Sequence, residues 1–323
     1  MIRRTTQEEL YKFIGGLFKD FVVIGPKEAA GKGVSYQTIS TAAELYLGDS
    51  FTLEPVKKLF FNPSEYIFKQ ANGTLEEIPQ AKVRRMILGV RPCEARGLIL
   101  LDKVFDSEYV DDFYANRRKD TIIVGFGCLN PDSNCFCTSM GGSPTESRGM
   151  DALIFNSENE FIIELITDQA KDIFSLLGQE LGSEESEVWE LEKGKRNRLA
   201  KQIRVPDNLD AVFESDYWEK VSFPCIGCGI CTYLCPTCHC FDLADDERKK
   251  LRCYDSCAFS DFTLEASGEN SRPTKKERYR QRVLHKFNYF KKNFGENLCV
   301  GCGRCIRHCP VKMDISEIVV NAA

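Results

Sequence analysis

The chain has 323 residues, of which 43% are hydrophobic, 28% charged and 11% aromatic, a profile typical of a folded globular protein rather than a disordered one. Its formal net charge of -5 argues against a protein held to nucleic acid by attraction to phosphates, so we expect no nucleic-acid partner. No run of about 18 apolar residues is present, and the N-terminus lacks the apolar core of a secretory signal. We therefore expect no membrane insertion and a cytoplasmic location.

Sixteen cysteines stand against only three histidines. Cysteine makes up about 5% of the chain, which is below its share in short secreted domains held by disulfides, and disulfides do not persist in a reducing cytosol. Metal ligation is the better interpretation. Because zinc sites often mix cysteine with histidine, whereas iron-sulfur clusters are held mainly by thiolates, the composition favours clusters.

The N-terminal half alternates short apolar runs with helical patterns. Residues 21–25, 86–90 and 121–125 are bounded by charges or glycine, as buried strands are. Residues 94–105 follow the second run with the pattern of an amphipathic helix, so strand, helix and strand form an α/β unit. Residues 1–60 carry no motif with a chemical meaning. Further along, the pattern predicts a hairpin of strands 152–155 and 161–166, then helices over residues 169–181 and 184–202.

Four cysteines belong to this half. Cys93 follows the second predicted strand, Cys128 follows the third, and Cys135 and Cys137 lie in the loop 134–142. Adjacent strands of an α/β sheet end side by side, so these four thiols could converge on one 4Fe-4S cluster. The alternative is that Cys93 and Cys128 are small buried hydrophobic residues and only the loop pair is functional.

A stretch of 87 residues without cysteine separates this group from the next one. The sequence therefore predicts an α+β protein with two domains. The first, residues 1–205, is an α/β domain with a cluster-binding loop. The second, residues 206–323, is a two-cluster ferredoxin-like domain with a long helical insertion at about 241–295.

The C-terminal half contains the motif C-x2-C-x2-C-x3-C-P twice. Residues 225–236 read CIGCGICTYLCP and residues 299–310 read CVGCGRCIRHCP. The spacing places three thiolates around one cubane, and the interleaved glycines let the backbone curl close to it. Two complete copies of the motif favour iron-sulfur clusters over a zinc site.

In two-cluster ferredoxins the fourth cysteine of each motif ligates the other cluster. This rule predicts two 4Fe-4S ligand sets, namely Cys225, Cys228, Cys231 and Cys309 for one cluster, and Cys299, Cys302, Cys305 and Cys235 for the other.

Four cysteines remain, Cys238, Cys240, Cys253 and Cys257. They could form a fourth site, or the first two could simply pack over the neighbouring ligand. His239 and His308 lie beside predicted ligands and are interpreted as supporting or surface groups. The basic run at 272–292 is either a solvated helix, with Val283, Leu284, Phe287 and Phe290 on its apolar side, or a positive collar that stabilises reduced clusters or docks an acidic partner.

With these motifs, and over about residues 85–323, the chain resembles a family of iron-sulfur electron-transfer subunits. The family is typified by the iron-sulfur subunit of anaerobic sulfite reductase and the beta subunit of cytoplasmic sulfhydrogenase-type nickel-iron hydrogenases. Besides the second cluster motif, the resemblance rests on short segments at 91–94 (RPCE), 135–141 (CFCTSMG), 235–242 (CPTCHCFD), 266–270 (ASGEN), 280–282 (RQR) and 285–287 (HKF). Two positions depart from it. Glu94 stands where aspartate is usual, and Tyr254 stands where tryptophan is frequent.

The resemblance implies a non-catalytic component of an oxidoreductase complex. Its partners would be a subunit that carries FAD and oxidises NAD(P)H, and a catalytic subunit of the sulfite reductase or hydrogenase type. No complete G-x-G-x-x-G or P-loop is present, which fits a flavin carried by another chain. The alternative is a subunit similar to heterodisulfide reductase components, which carries out a reduction itself or feeds an electron-bifurcating complex.

Overall fold

The computed structural model describes residues 1–29, 31, 33–71, 73–157, 160–195 and 201–322. In chain order its strands are β1 (Ile2–Thr6), β2 (Val22–Ala29), β3 (Gly33–Thr38), β4 (Ser64–Ala71), β5 (Thr74–Glu77), β6 (Arg85–Val90), β7 (Thr121–Phe126), β8 (Ala152–Ser157), β9 (Glu160–Leu165), β10 (Gln179–Glu180), β11 (Phe241–Asp246) and β12 (Lys249–Tyr254). Eight of them form a mixed sheet in the order β10-β1-β9-β8-β7-β6-β2-β3, and four form a second sheet in the order β11-β12-β4-β5.

The helices are α1 (Gln7–Leu17), α2 (Pro92–Phe105), α3 (Asp112–Lys119), α4 (Asp168–Phe174), α5 (Ser183–Lys195), α6 (Tyr217–Ser222), α7 (Ile230–Tyr233), α8 (Lys275–Leu284), α9 (Phe290–Phe294), α10 (Arg304–Arg307) and α11 (Ile315–Val320). A π-helical turn, His285–Tyr289, joins α8 to α9. In the described part of the chain, no helix is long and apolar enough to cross a bilayer.

The centre of the large sheet is apolar on both faces. Met86 and Leu88 of β6 pack on one side with α1 and α4, while Ile87 packs on the other side with α2, α3 and Trp189 of α5. Strands β2, β6, β7 and β8 are parallel, and parallel strands covered on both faces read as continuous apolar runs. The predicted strands and the strand-helix-strand unit are therefore confirmed, and the prediction of mixed helix and sheet holds.

The predicted helix over 169–181 is too long. Helix α4 ends at Phe174, and the chain continues as the short strand β10, which pairs with β1. Gly178 has a positive φ of 64°, and a Cβ at that residue would lie 2.1 Å from the carbonyl oxygen of Arg4. The close approach of two backbones ends the helix here. The hairpin is confirmed as β8 and β9, and helix α5 covers the first part of the predicted 184–202 helix, of which residues 196–200 lie outside the described residues.

The insertion at 241–295 is only partly helical, which corrects the expected long helical insertion. Its first part is the hairpin of β11 and β12, and β12 pairs with β4 from the N-terminal half. Two consecutive polar residues at the turn, one of them Glu247 with a positive φ of 53°, reverse the chain. The second part, α8 to α9, is helical, and its predicted apolar side is confirmed, because Val283, Leu284, Phe287 and Phe290 are all buried.

Candidate metal centres

The two cysteine motifs fold alike. In each copy the two glycines between the first three cysteines have positive φ angles, 67° and 74° at Gly227 and Gly229, and 66° and 69° at Gly301 and Gly303. Helices α7 and α10 begin directly after the second glycine. This left-handed backbone turns the amide groups inward, and the N-H of Gly301 lies 3.4 Å from Sγ of Cys299. The arrangement is a backbone cradle for an anionic group.

The first predicted ligand set lines one apolar cavity at the surface end of the domain. Cys225, Cys228, Cys231 and Cys309 face this cavity together, although Cys309 is far from the other three in sequence. The backbone N-H of Met313 donates to Sγ of Cys309 at 3.2 Å. We call these four residues the outer site. Cys228 is exposed, so this site reaches the protein surface.

The second predicted ligand set is more deeply buried, since Cys235, Cys299 and Cys302 are buried and only Cys305 is partly exposed. The thiol of Cys235 interacts electrostatically with those of Cys299, Cys302 and Cys305, which places the fourth cysteine of the first motif beside the second motif. Burial raises the pKa of each of these three thiols to about 12. Such thiols ionise only where positive charge compensates them, as iron does. We call these four residues the central site.

The four N-terminal cysteines are also brought together. Cys93 lies in the first turn of α2, which follows β6, and Cys128 follows the adjacent parallel strand β7. The thiols of Cys93, Cys135 and Cys137 each interact electrostatically with Cys128. Burial raises the pKa of Cys137 to about 11. We call these four residues the N-terminal site.

The donor chemistry of all three sets fits an iron-sulfur cluster, since each consists of four thiols. Among the described residues, no group of three or more cysteine, histidine or carboxylate side chains is arranged to hold a single metal ion.

The central site touches both of the others. On one side, the N-H of Phe136 donates to the carbonyl oxygen of Gly301 at 2.8 Å, and Sγ of Cys135 lies 3.9 Å from the carbonyl oxygen of Cys302. On the other side, the thiol of Cys305 interacts with that of Cys231. The three sites therefore form a row, with the central site between the N-terminal and outer sites.

A buried ion pair joins the N-terminal and central sites, and the sequence pattern did not predict it. The Arg304 guanidinium, between two cysteines of the second motif, donates to the Glu94 carboxylate at 2.8 Å, and both side chains have zero exposure. The same carboxylate accepts from the hydroxyl of Tyr36 at 2.8 Å and from the N-H of Val56 at 3.1 Å. Glu94 follows Cys93 and Arg304 precedes Cys305, and this position beside a predicted ligand is the only feature of the sequence that points to the ion pair.

Three of the remaining cysteines are neighbours, because the thiol of Cys240 interacts with those of Cys238 and Cys257, whereas Cys253 lies apart from them. Cys240 and Cys257 are hydrogen-bonded to each other, and this bond lowers the pKa of Cys257 to about 6. Cys238 is hydrogen-bonded to Cys235, next to the central site. Cys253 lies on β12, where its Sγ is 4.0 Å from the carbonyl oxygen of Asp242 and its charged neighbours are Asp242 and Asp255.

The histidines have supporting environments. The ring of His239 packs against the rings of Phe105 and His285, with Nδ1 3.0 Å from the carbonyl oxygen of Thr237, and burial lowers its pKa to about 4.

Each of the two interpretations of the basic run at 272–292 applies to part of its side chains. Lys275 is exposed, whereas Arg282 and Lys286 are buried against the cysteines.

The two motif copies offer a matched test of the cradle. Gly301→Ala and Gly227→Ala introduce the same backbone strain, because both glycines have nearly the same positive φ. A Cβ at Gly301 would lie 2.6 Å from the backbone of Phe136 and Cys137, whereas at Gly227 the nearest atom is 3.4 Å away. We expect iron analysis to show that Gly301→Ala loses iron from both the central and N-terminal sites while Gly227→Ala retains it there. Equal iron content in the two variants would contradict the contact between these sites.

Comparison with known proteins agrees with this geometry. Residues 224–313 match the family model of the 4Fe-4S dicluster domain. Over 299 residues the chain is 33% identical to sulfhydrogenase 2 subunit beta of Pyrococcus furiosus, and the match covers 88% of this chain and 87% of that protein. The chain belongs to the sulfhydrogenase beta subunit family. No solved structure matches the chain.

Membership of this family confirms the resemblance found in the sequence. As a member of the sulfhydrogenase beta subunit family with a 4Fe-4S dicluster domain, the protein is an iron-sulfur electron-transfer protein of oxidoreductase type.

Proposed function

We propose that this chain relays single electrons through three 4Fe-4S clusters inside a multi-subunit oxidoreductase. The proposed ligands are Cys225, Cys228, Cys231 and Cys309 in the outer site, Cys235, Cys299, Cys302 and Cys305 in the central site, and Cys93, Cys128, Cys135 and Cys137 in the N-terminal site. The observation that carries the proposal is the row of three four-thiol sites in which the central one contacts both neighbours.

A cubane held by four thiolates exchanges single electrons and has no open position for substrate. The chain's own residues hold the N-terminal and central positions close together, because the Phe136 to Gly301 hydrogen bond and the Glu94 to Arg304 ion pair join these two sites directly. A contiguous row of this kind is suited to conduction rather than to bond chemistry.

The outer site also has the surroundings expected of a docking end. Phe223 is 79% exposed and Ile226 is 62% exposed beside the exposed Cys228. Large apolar side chains exposed around a redox site favour contact with a protein partner. Because the relative is a sulfhydrogenase subunit, we propose two partners, which are a catalytic subunit of hydrogenase type and a flavin subunit that carries FAD and oxidises NAD(P)H.

The proposal is tested by reduction of the purified, anaerobically reconstituted chain. A pyridine nucleotide delivers two electrons as a hydride, and a flavin is needed to divide the pair. We expect neither NADH nor NADPH to bleach the visible absorbance of the isolated chain, and we expect bleaching when the flavin subunit is added.

Reduction by dithionite serves as the positive control for cluster loading. Direct, stoichiometric reduction of the flavin-free chain by either nucleotide would overturn the relay and favour the self-contained reductase.

A further inference from the structure

Three cations are buried around the central site. Lys57, Lys286 and Arg282 are 2%, 3% and 4% exposed. Within the described ranges, none of the three forms an ion pair with a carboxylate. Burial of charges without counter-charge is costly, so a buried set of cations indicates an anionic neighbour.

The two lysines form hydrogen bonds with Thr237 and Cys238, which follow Cys235 of the central site in the sequence. Nζ of Lys57 donates to the carbonyl oxygen of Cys238 at 2.7 Å, and Nζ of Lys286 donates to Oγ1 of Thr237 at 3.0 Å. Oγ1 of Thr237 lies 3.2 Å from Sγ of Cys235, a proposed ligand. The Thr237 hydroxyl thus links the ammonium group of Lys286 to the Cys235 sulfur.

Arg282 lies between the central and outer sites. Its guanidinium donates to the carbonyl oxygen of Cys231 at 2.8 Å and to Sγ of Cys238 at 3.5 Å. The hydrogen bonds of the three buried cations therefore go to cysteine sulfur, backbone carbonyl oxygens and the Thr237 hydroxyl, and none of these acceptors is a carboxylate.

The N-terminal site differs, because most arginines beside it are paired with carboxylates. Arg96 pairs with Glu296 at 3.1 Å, and Arg304 pairs with Glu94 at 2.8 Å in the ion pair that joins this site to the central one. Only Arg91, which donates to the carbonyl oxygens of Gly127 and Gly48, lies near Cys128 without a carboxylate among the described residues.

A carboxylate also touches a proposed ligand of this site. Oδ1 of Asp132 lies 3.3 Å from Sγ of Cys135, while its other oxygen accepts from Nε of Arg307 at 2.7 Å. Apart from Arg91, the charges around the N-terminal site are therefore paired with opposite charges, whereas the central site adjoins three cations without carboxylate partners.

Reduction adds one negative charge, which nearby cations stabilise and nearby anions oppose. We propose that this asymmetry of fixed charge gives the central site a higher reduction potential than the N-terminal site, so that an electron passing between these two sites comes to rest at the central one. The inference rests on the proposed function, in that it assumes a cluster at each site. It predicts a downhill direction from the N-terminal site to the central site.

The test is an anaerobic redox titration of the reconstituted full-length chain, followed by electron paramagnetic resonance with iron analysis of every variant. Cys135→Ala identifies the signal of the N-terminal site, and Cys228→Ala identifies that of the outer site. In the unsubstituted protein we expect the remaining signal, that of the central site, to appear at a higher potential than the signal of the N-terminal site.

Charge variants then separate electrostatics from structure. Lys286→Met should lower the potential of the central signal by at least a tenfold change in the reduced-to-oxidised ratio, which is about 59 mV for one electron. Lys286→Arg should restore most of it, and Lys275→Met, on the exposed end of α8, should leave it unchanged. Asp132→Asn should raise the potential of the N-terminal signal and leave the central one in place.

The outcomes distinguish the two proposals. Absence of iron and of all signals from the unsubstituted protein would refute the proposed function. A central signal that does not appear at a higher potential than the N-terminal signal, or unchanged potentials in Lys286→Met and Asp132→Asn at full iron content, would refute only the charge asymmetry. If Lys286→Met loses iron, the order of potentials in the unsubstituted protein and the Asp132→Asn shift decide the matter.

Discussion

Anaerobically reconstituted protein is expected to hold roughly 12 iron atoms per chain, four for each of three cubanes, and the Cys135→Ala variant roughly 8. The loss is confined to one site because every proposed ligand of the outer and central sites lies beyond residue 224. The measurement is iron and sulfide analysis combined with the visible spectrum.

Cys253→Ala is the matched control. It removes a thiol that contacts Asp242 rather than any of the three sites, so the iron content should stay unchanged. About 8 iron atoms in the unsubstituted chain would remove the N-terminal cluster, and about 16 would indicate a fourth one near Cys240 and Cys257. Loss of all iron from Cys135→Ala would contradict independent assembly of the dicluster domain.

The second large effect is expected at Glu94. Glu94→Ala leaves the Arg304 guanidinium buried without its carboxylate partner, and removing one partner of a buried pair typically costs about 3–5 kcal/mol. The carboxylate also holds Tyr36 and Val56, which lose a hydrogen-bond partner. We expect the free energy of unfolding, measured by urea titration with circular dichroism under anaerobic conditions, to fall by an amount in that range.

Glu76→Ala provides the comparison. Glu76 pairs with Lys69 at 3.4 Å on the exposed strand β5, and a surface pair contributes no more than about 1 kcal/mol. If Glu94→Ala lowers the free energy of unfolding no more than Glu76→Ala does, the Arg304 guanidinium has another counter-charge.

Much of the local structure could be predicted from residues close together in sequence. The apolar run 86–90 became β6, and the helix after it became α2, because hydrophobic periodicity depends only on which side chains a strand or helix must bury. The cysteine motif likewise contains its own turns, since Gly227 and Gly301 supply the left-handed backbone that the short spacing requires.

The division into residues 1–205 and 206–323 stays a prediction. One contact bears on it, which is that β12 of the C-terminal half pairs with β4 of the N-terminal half. Periodicity predicted neither β11 nor β12, because charged residues recur through both strands and only Arg252 is buried, so that strand pairing rather than a buried apolar face stabilises the hairpin.

The sequence by itself therefore pointed to iron-sulfur ligation, through two regularly spaced sets of thiols and a third set at strand ends. It also determined the strands and helices on which these cysteines lie. Only the tertiary structure decided which site adjoins which and what charge surrounds each. Glu94 and Arg304 are 210 residues apart, and Lys57 lies 181 residues from Cys238. Contacts of this kind depend on how whole layers pack, because burial specifies which side chains leave water but not which ones they meet.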